Sequence, residues 1–87
     1  MLPKKLATAI FTRDFWKCRH CLDRGNLHPH HVLYKSHGGL DVKNNLITLC
    51  AGCHRAHHDG FLGIEVISSS DGNVKVQFTR LKGWQPQ

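Results

Sequence analysis

The sequence predicts a small α+β domain held together by a metal ion, and three observations lead to this fold class. The chain has 87 residues, and a core of that size rarely stabilises a fold by more than about 3–5 kcal/mol without a metal or a covalent cross-link. Short helix and strand patterns alternate along the chain. Four cysteines form two Cys-x2-Cys pairs, the spacing of metal-binding knuckles.

The first predicted element is an amphipathic helix over residues 3–14. Pro3 suits the first turn of a helix, where its missing N–H would have no intrahelical partner anyway. Apolar residues recur at helical spacing at Leu2, Leu6, Ala9 and Ile10. The polar side of this helix is basic.

Two short strands are predicted to flank a loop. Residues 30–34 (HHVLY) and 46–49 (LITL) are rich in β-forming side chains. Between them, residues 36–39 (SHGG) have the composition of a turn. We therefore expect a strand, a loop and a second strand in the middle of the chain.

A second helix and a hairpin complete the predicted order. Residues 51–59 show no strand pattern and Gly60 is a natural helix stop, so we expect a helix that ends there. Beyond it, residues 64–66 and 74–78 alternate, or nearly so, between apolar and polar side chains, and residues 71–72 (DG) suit a tight turn. This pattern predicts a β-hairpin.

The cysteines predict a structural zinc site formed by Cys18, Cys21, Cys50 and Cys53. Four thiolates around one tetrahedral Zn²⁺ would supply folding free energy that the small core lacks. Two disulfides, with three possible connectivities, are the alternative, but they need an oxidising compartment and nothing in the sequence directs export. The interval between the pairs exceeds the roughly 15–20 residues of an ordinary zinc ribbon, so we expect a further structure between them.

The charge balance predicts a polyanionic partner. Twelve lysines and arginines against six acidic residues give a net charge of +6 and a pI near 9.5. Most of the excess lies in the first 20 residues. The predicted phosphate contacts are Lys4, Lys5, Lys17, Arg19, Lys35 and Arg55. For each of them the alternative is a solvated surface charge.

Two further features bear on partners and setting. Trp16 and Trp84 could stack on nucleic-acid bases, but in so small a core each is more often a packing residue. The apolar stretches are too short for a membrane helix or a secretory signal. We therefore expect a soluble, intracellular protein with no membrane partner.

The histidines predict a second metal site with a free base beside it. His54 and His58 are four residues apart on the second predicted helix, so their side chains share one face. His30 and His31 are neighbours on a strand and should point to opposite sides, which lets one bind a metal while the other stays a neutral base. Ordinary surface or hydrogen-bonding roles are expected of His20, His28, His37 and His57.

These motifs resemble the HNH nuclease family in its four-cysteine zinc form. The resemblance covers about residues 10–60 and, besides the cysteine pairs, consists of HHV (30–32), GG (38–39) and NLITLCAGCH (45–54). The continuation HHDGFLGI (57–64) into a hairpin is similar to small bacterial and phage HNH proteins.

The resemblance implies a ββα-metal fold in one domain over residues 1–87, with the motif core at about 10–60 and the hairpin at about 61–80. It also implies two catalytic residues. His31 takes the place of the general base, and Asn45 takes the place of the asparagine that braces the loop between the strands.

The resemblance further implies that the catalytic metal is bound by His30, His54 and His58. The residue before the base is commonly Asp or His in the family, and this chain has His30. A ligand at the position of His58 occurs in members similar to the bacterial colicin nucleases. Because imidazoles are softer ligands than carboxylates and water, we expect Mn²⁺, Co²⁺, Ni²⁺ or Zn²⁺ to bind better than Mg²⁺.

The predicted function is a metal-dependent DNA endonuclease of low sequence specificity, with nicking activity if it acts as a monomer. The resemblance implies products with 5′-phosphate and 3′-hydroxyl ends. We expect double-stranded DNA as the partner, a phage or bacterial protein as a further candidate partner, a monomer or a dimer, and the cytoplasm of a bacterial or phage-infected cell. The alternatives are a non-catalytic zinc-ribbon module that binds nucleic acid or protein, and a nuclease that acts on RNA.

Overall fold

The computed structural model describes residues 2–81 and has two α-helices, two short 3₁₀-helices (Lys35–His37 and Lys43–Asn45) and two small sheets in that range. The elements are α1 (Lys4–Arg13), β1 (Leu27–His31), β2 (Leu46–Cys50), α2 (Ala51–His58), β3 (Leu62–Ser70) and β4 (Asn73–Arg80). The predicted α+β class and the order of its elements are confirmed. No helix of the described range is long and apolar enough to cross a membrane. Trp84 lies outside the described residues.

The predicted position of the first strand, at residues 30–34, is wrong by three residues at each end. β1 begins at Leu27 and ends at His31, where it pairs antiparallel with β2. The next backbone N–H, that of Val32, donates to the carbonyl of Asn45 at 2.9 Å. The backbone N–H of Leu33 instead donates to the side-chain oxygen of Asn45 at 2.8 Å, so the regular backbone pairing with β2 ends there.

β2 is the centre of the core. All five of its residues are buried, since the strand contacts both helices, β1 and β4. The buried cluster around it contains Cys18, Ile47, Leu49, Cys50, Cys53, Ala56, Leu62 and Val74. Three of the four cysteines belong to this cluster, so the predicted metal site and the apolar core form one unit.

The predicted hairpin is confirmed as β3 and β4, which pair antiparallel. Gly72 lies in the turn with φ of 77°, a conformation that glycine adopts without steric cost. In β4, Val74 is buried and Val76 and Phe78 are half-buried, whereas the residues between them are exposed. The alternating apolar side chains thus pack one face of the hairpin against the core.

A buried carboxylate fixes α1 to the rest of the fold. Asp14 accepts hydrogen bonds from the guanidinium of Arg13 at 2.8 Å and from the backbone N–H of Thr48 at 3.0 Å. Arg19 lies 3.4 Å from the same carboxylate and donates to the carbonyl of Val74 at 2.7 Å. Two of the basic N-terminal side chains therefore hold the fold together, which leaves less positive charge for a partner than the sequence suggests.

Candidate functional site

The four cysteines come together at one point. Their Sγ atoms all lie within 4.8 Å of one another, and those of Cys21 and Cys50 are 3.5 Å apart. A tetrahedral zinc ion with Zn–S bonds of about 2.3 Å places its sulfurs about 3.8 Å apart. The four cysteines form no disulfide. Their arrangement fits a structural metal ion such as zinc and disagrees with the disulfide alternative.

Backbone N–H groups favour negative charge on two of these sulfurs, whereas burial opposes it. The N–H groups of His20 and Cys53 donate to the Sγ atoms of Cys18 and Cys50, both at 3.4 Å. Burial opposes ionisation, yet the surrounding backbone N–H groups hold the pKa of Cys18 below its usual value. Burial, and next the Cys18 thiolate, raise the pKa of Cys53. Four thiolates therefore need a cation to balance their charge.

A second site lies in a surface cavity of about 270 Å³. Its walls are formed by Pro29, His30, His31, Tyr34, Lys35 and His54. β1 supplies the two neighbouring histidines, and α2 supplies the third. The fold therefore brings three of the predicted site histidines, and one predicted phosphate contact, to the same place.

His30 is the buried member of this cavity, with 6% of its surface exposed. Its ring centroid lies 4.8 Å from that of His57 and 5.2 Å from that of His54. Burial, and then the charges of the neighbouring imidazoles, lower the pKa of His30 to about 3, so the ring is neutral near pH 7. Its Nε2 is buried and has no hydrogen-bond partner within the described range. A neutral ring with an unused buried nitrogen fits a metal ligand.

The two helix histidines that were predicted to act together have different surroundings. His54 lines the cavity and stacks against His28 with ring centroids 5.8 Å apart, and burial lowers its pKa. The side chain of His58 is 84% exposed and lies 3.6 Å from the carboxylate of Asp59. Among residues 2–81, the cysteines are the one group of three or more side chains placed to hold a metal ion. The structure thus brings His30 and His54 together, but not His58.

Sequence reasoning assigned no site role to His57, which links three parts of the fold. Its Nδ1 lies 2.7 Å from the carbonyl oxygen of Leu62, and its Nε2 lies 3.0 Å from the hydroxyl of Tyr34. A carbonyl only accepts, so Nδ1 donates to Leu62 and Nε2 accepts from Tyr34 in the neutral ring. His57 thereby fixes α2 to β3 and to the cavity wall. Its spacing of three residues from His54 on one helix was the available signal.

His31 also has a partner that the sequence analysis did not name. Its Nε2 lies 2.7 Å from Oδ1 of Asp41, and the Nζ of Lys35 lies 3.3 Å from Oδ2 of the same carboxylate. The hydrogen bond from His31, followed by the contacts of Lys35, lowers the pKa of Asp41. An acidic residue in a loop is usually a solvated charge, so the sequence carried no separate signal for Asp41.

The loop that carries Asp41 is held by a side chain and by a glycine. Asn45 accepts from the backbone N–H of Leu33 at 2.8 Å and donates to the carbonyls of Leu33 and Leu40 at 3.1 and 3.0 Å. A Cβ at Gly39 would lie 1.8 Å from the carbonyl oxygen of Leu33, so only glycine fits there. These close contacts determine how the loop lies beside β1.

The predicted phosphate contacts are spread unevenly. Lys35 lines the cavity, and Arg55 is 84% exposed on α2, with its Nε 3.6 Å from the carboxylate of Asp59. Arg19 is instead engaged inside the fold. Trp16 is half-exposed, and its ring centroid lies 5.2 Å from that of Phe11. The other predicted contacts, Lys4, Lys5 and Lys17, are not among the residues that line the cavity.

Comparisons with known proteins agree with the predicted resemblance. The model of the HNH endonuclease family matches residues 18–60, a range that includes both cysteine pairs and the cavity histidines. Anaredoxin from Nostoc sp. (strain PCC 7120) is 28% identical to the chain over 64 residues, which cover 72% of this chain and 84% of that protein. No solved structure matches the chain significantly.

Proposed function

We propose that this protein is a metal-dependent endonuclease that hydrolyses phosphodiester bonds in DNA, because residues 18–60 match the model of the HNH endonuclease family. The observation that carries the proposal is that His30, His31 and His54 line one cavity, with His54 directly after Cys53 in α2. A purely structural zinc module needs none of these imidazoles.

The four-cysteine cluster supports the fold in this proposal. Four protein thiolates fill the tetrahedral coordination of Zn²⁺ and leave no open position for water. The chemistry therefore belongs in the cavity, where the histidines are. Because three of the cysteines lie in the core, loss of zinc should disorder β2 and α2 and displace the cavity histidines with them.

A catalytic ion would be held by His30 and His54. These imidazoles favour Mn²⁺, Co²⁺, Ni²⁺ or Zn²⁺, with Mg²⁺ the weaker but abundant alternative. When bound, the ion would supply positive charge to a phosphate oxygen and to the departing 3′-oxygen. His58 is not part of this proposal, because its side chain points to solvent beside Asp59.

The neighbouring residues His30 and His31 would have different roles in the reaction. His31 is partly exposed at the cavity and would accept a proton from the water that attacks the phosphorus, a step that typically contributes about 10²–10⁴-fold. His30 is a poor proton acceptor, because burial lowers its pKa to about 3. Attack in line with the 3′-oxygen would leave 5′-phosphate and 3′-hydroxyl ends.

DNA would be held mainly through its phosphates. Lys35 is the basic residue of the cavity wall, and Arg55 lies on the same helix as His54. Further lysines lie on and just after α1, at Lys4, Lys5 and Lys17. Such contacts carry no sequence information and weaken steeply with salt, so we expect low sequence specificity.

Relaxation of supercoiled plasmid tests this proposal. The protein is loaded with one zinc per chain and assayed with Mn²⁺, Mg²⁺, Ni²⁺, Co²⁺ or additional Zn²⁺, beside His31→Ala. The matched control is His37→Ala, whose histidine is exposed in the segment that follows β1. We expect nicking by the wild type and by His37→Ala, and at least about a 100-fold loss in His31→Ala. An intact plasmid across the whole metal panel would refute the nuclease.

A non-catalytic zinc-ribbon module that binds nucleic acid or protein is the second candidate. It is favoured by one observation: within residues 2–81, the cysteines alone form a group of three or more potential metal ligands. This candidate predicts salt-sensitive DNA binding without cleavage in the same assay. A structured RNA tested in parallel separates a DNA nuclease from an RNA nuclease.

A further inference from the structure

The contact between His31 and Asp41 determines which ring nitrogen is available for chemistry. Nε2 of His31 lies 2.7 Å from Oδ1 of Asp41. An ionised carboxylate accepts hydrogen bonds and cannot donate them, so Nε2 carries the proton. A neutral imidazole has one N–H, so the lone pair of His31 lies on Nδ1.

We propose that Asp41 is the positioning residue of the general base: it holds His31 in the Nε2–H tautomer, with Nδ1 free to accept the proton of the attacking water. This inference rests on the proposed nuclease function, but its structural part is separate from it. Asp41 touches His31 and not the reacting atoms.

Asp41 would serve the transfer of a proton from the attacking water to His31. An O–H bond of water breaks, and its proton forms a new N–H bond at Nδ1 of His31. The oxygen electron pair forms a bond to phosphorus, while the bond from phosphorus to the 3′-oxygen breaks and that oxygen takes a proton from solvent. His31 is then an imidazolium whose Nε2–H still faces the Asp41 carboxylate, so the charge that forms on the ring is partly neutralised.

The loop places the carboxylate through contacts that do not involve the base. Lys35 Nζ lies 3.3 Å from Oδ2 of Asp41 and fixes the second oxygen. Asn45 donates to the carbonyl of Leu40, the residue before Asp41, at 3.0 Å. The side chain of Asp41 thus reaches His31 from a backbone that is already held, and only its Oδ1 is needed at the base.

The partial exposure of Asp41 and His31 limits the loss of activity expected when Asp41 is replaced. The side chains of Asp41 and His31 are 32% and 19% exposed, so water competes with their hydrogen bond more than it would at a buried pair. Loss of the orienting acid from a buried catalytic triad reduces turnover by about 10⁴-fold. For this more exposed pair we expect a smaller reduction in kcat, about 10–100-fold, with KM for plasmid nearly unchanged.

Nitrogen-15 NMR of the histidine rings tests the proposal without substrate. The zinc-loaded full chain is compared at one fixed pH, the same for every protein, as wild type, Asp41→Ala and Asp41→Asn. Glu65→Gln, at an exposed acid on β3, is the control for loss of a negative charge. We expect His31 to be the Nε2–H tautomer in the wild type, in Glu65→Gln and in Asp41→Asn, whose amide oxygen still accepts. A tautomer mixture is expected in Asp41→Ala.

Plasmid kinetics on the same proteins complete the test. Supporting results are a 10–100-fold lower kcat in Asp41→Ala at unchanged zinc content and partial rescue in Asp41→Asn. An Nδ1–H tautomer in the wild type, an unchanged tautomer in Asp41→Ala, or a change in KM alone would overturn the proposal. If the wild type cleaves no plasmid, the nuclease function fails, and the NMR result still decides whether Asp41 sets the tautomer of His31.

Discussion

Replacement of Asp14 by alanine should destabilise this protein by about 3–5 kcal/mol, the usual loss when one partner of a buried ion pair is removed. The Asp14 side chain is 3% exposed and lies against the guanidinium groups of Arg13 and Arg19. It also accepts from the backbone N–H of Thr48 in β2. Alanine removes this acceptor from all three donors, and water reaches the buried Thr48 poorly. A core of this size supplies only about 3–5 kcal/mol in total, so we expect Asp14→Ala to fold only with zinc bound.

Urea unfolding at a fixed free zinc concentration, followed by far-UV circular dichroism, measures this loss. Asp14→Asn keeps one carbonyl acceptor but not the charge, so its loss should be intermediate. Glu65→Ala removes an exposed carboxylate and should stay within about 0.5 kcal/mol of the wild type. A loss below about 1 kcal/mol in Asp14→Ala would mean that the contacts of Asp14 stabilise the fold no more than an exposed ion pair does, and would contradict this prediction.

Three further predictions concern the cavity. Gly39→Ala places a Cβ 1.8 Å from a backbone oxygen and should abolish nicking with zinc retained. A Cβ added at Gly38 would meet no atom within 4 Å, but the backbone there has a φ of 90°. Gly38→Ala should therefore lower the free energy of unfolding by only about 1–2 kcal/mol in urea. His57→Phe leaves a half-buried carbonyl without its donor and should lose about 1–3 kcal/mol, more than Tyr34→Phe, in urea unfolding. Burial lowers the pKa of His30 to about 3 from 6.5, so its contribution to the free energy of unfolding should be full above pH 6.5. That contribution should fall toward pH 3 by up to about 1.4 kcal/mol per pH unit. His30→Phe should lack this pH dependence when unfolding is measured from pH 7.5 to 5.5 at constant zinc content.

The parts of the fold that follow from local patterns were predictable from the sequence. The spacing of apolar residues located α1, and the alternation around residues 71–72 located the hairpin, because both depend on neighbours close in the chain. The two Cys-x2-Cys pairs predicted the four-thiolate cluster, since the ligand spacing of a knuckle is itself a local signal. The end of β1 was not predictable in this way, because the N–H of Leu33 is taken by the side chain of Asn45, which is distant in sequence.

The parts of the candidate site that the sequence did not predict, or predicted differently, depend on tertiary contacts. Asp41 acquires its significance only when the loop folds back onto His31, and no spacing rule connects the two residues. His58 was favoured by helix periodicity, yet sharing a helix face with His54 does not bring its ring into the cavity, because it lies one turn farther along the helix, beside Asp59. Arg19 was predicted to contact phosphate, but its guanidinium lies 3.4 Å from the carboxylate of Asp14.

The central claim is that a zinc-bound scaffold presents His31 as a base for phosphodiester hydrolysis. The most direct test is the single-turnover rate of plasmid nicking by wild type and His31→Ala, with Mn²⁺ added and the zinc content of both proteins verified as one per chain. We expect a rate lower by about 10²–10⁴-fold in His31→Ala, with unchanged zinc binding and circular dichroism. Equal nicking rates in the two proteins would contradict it.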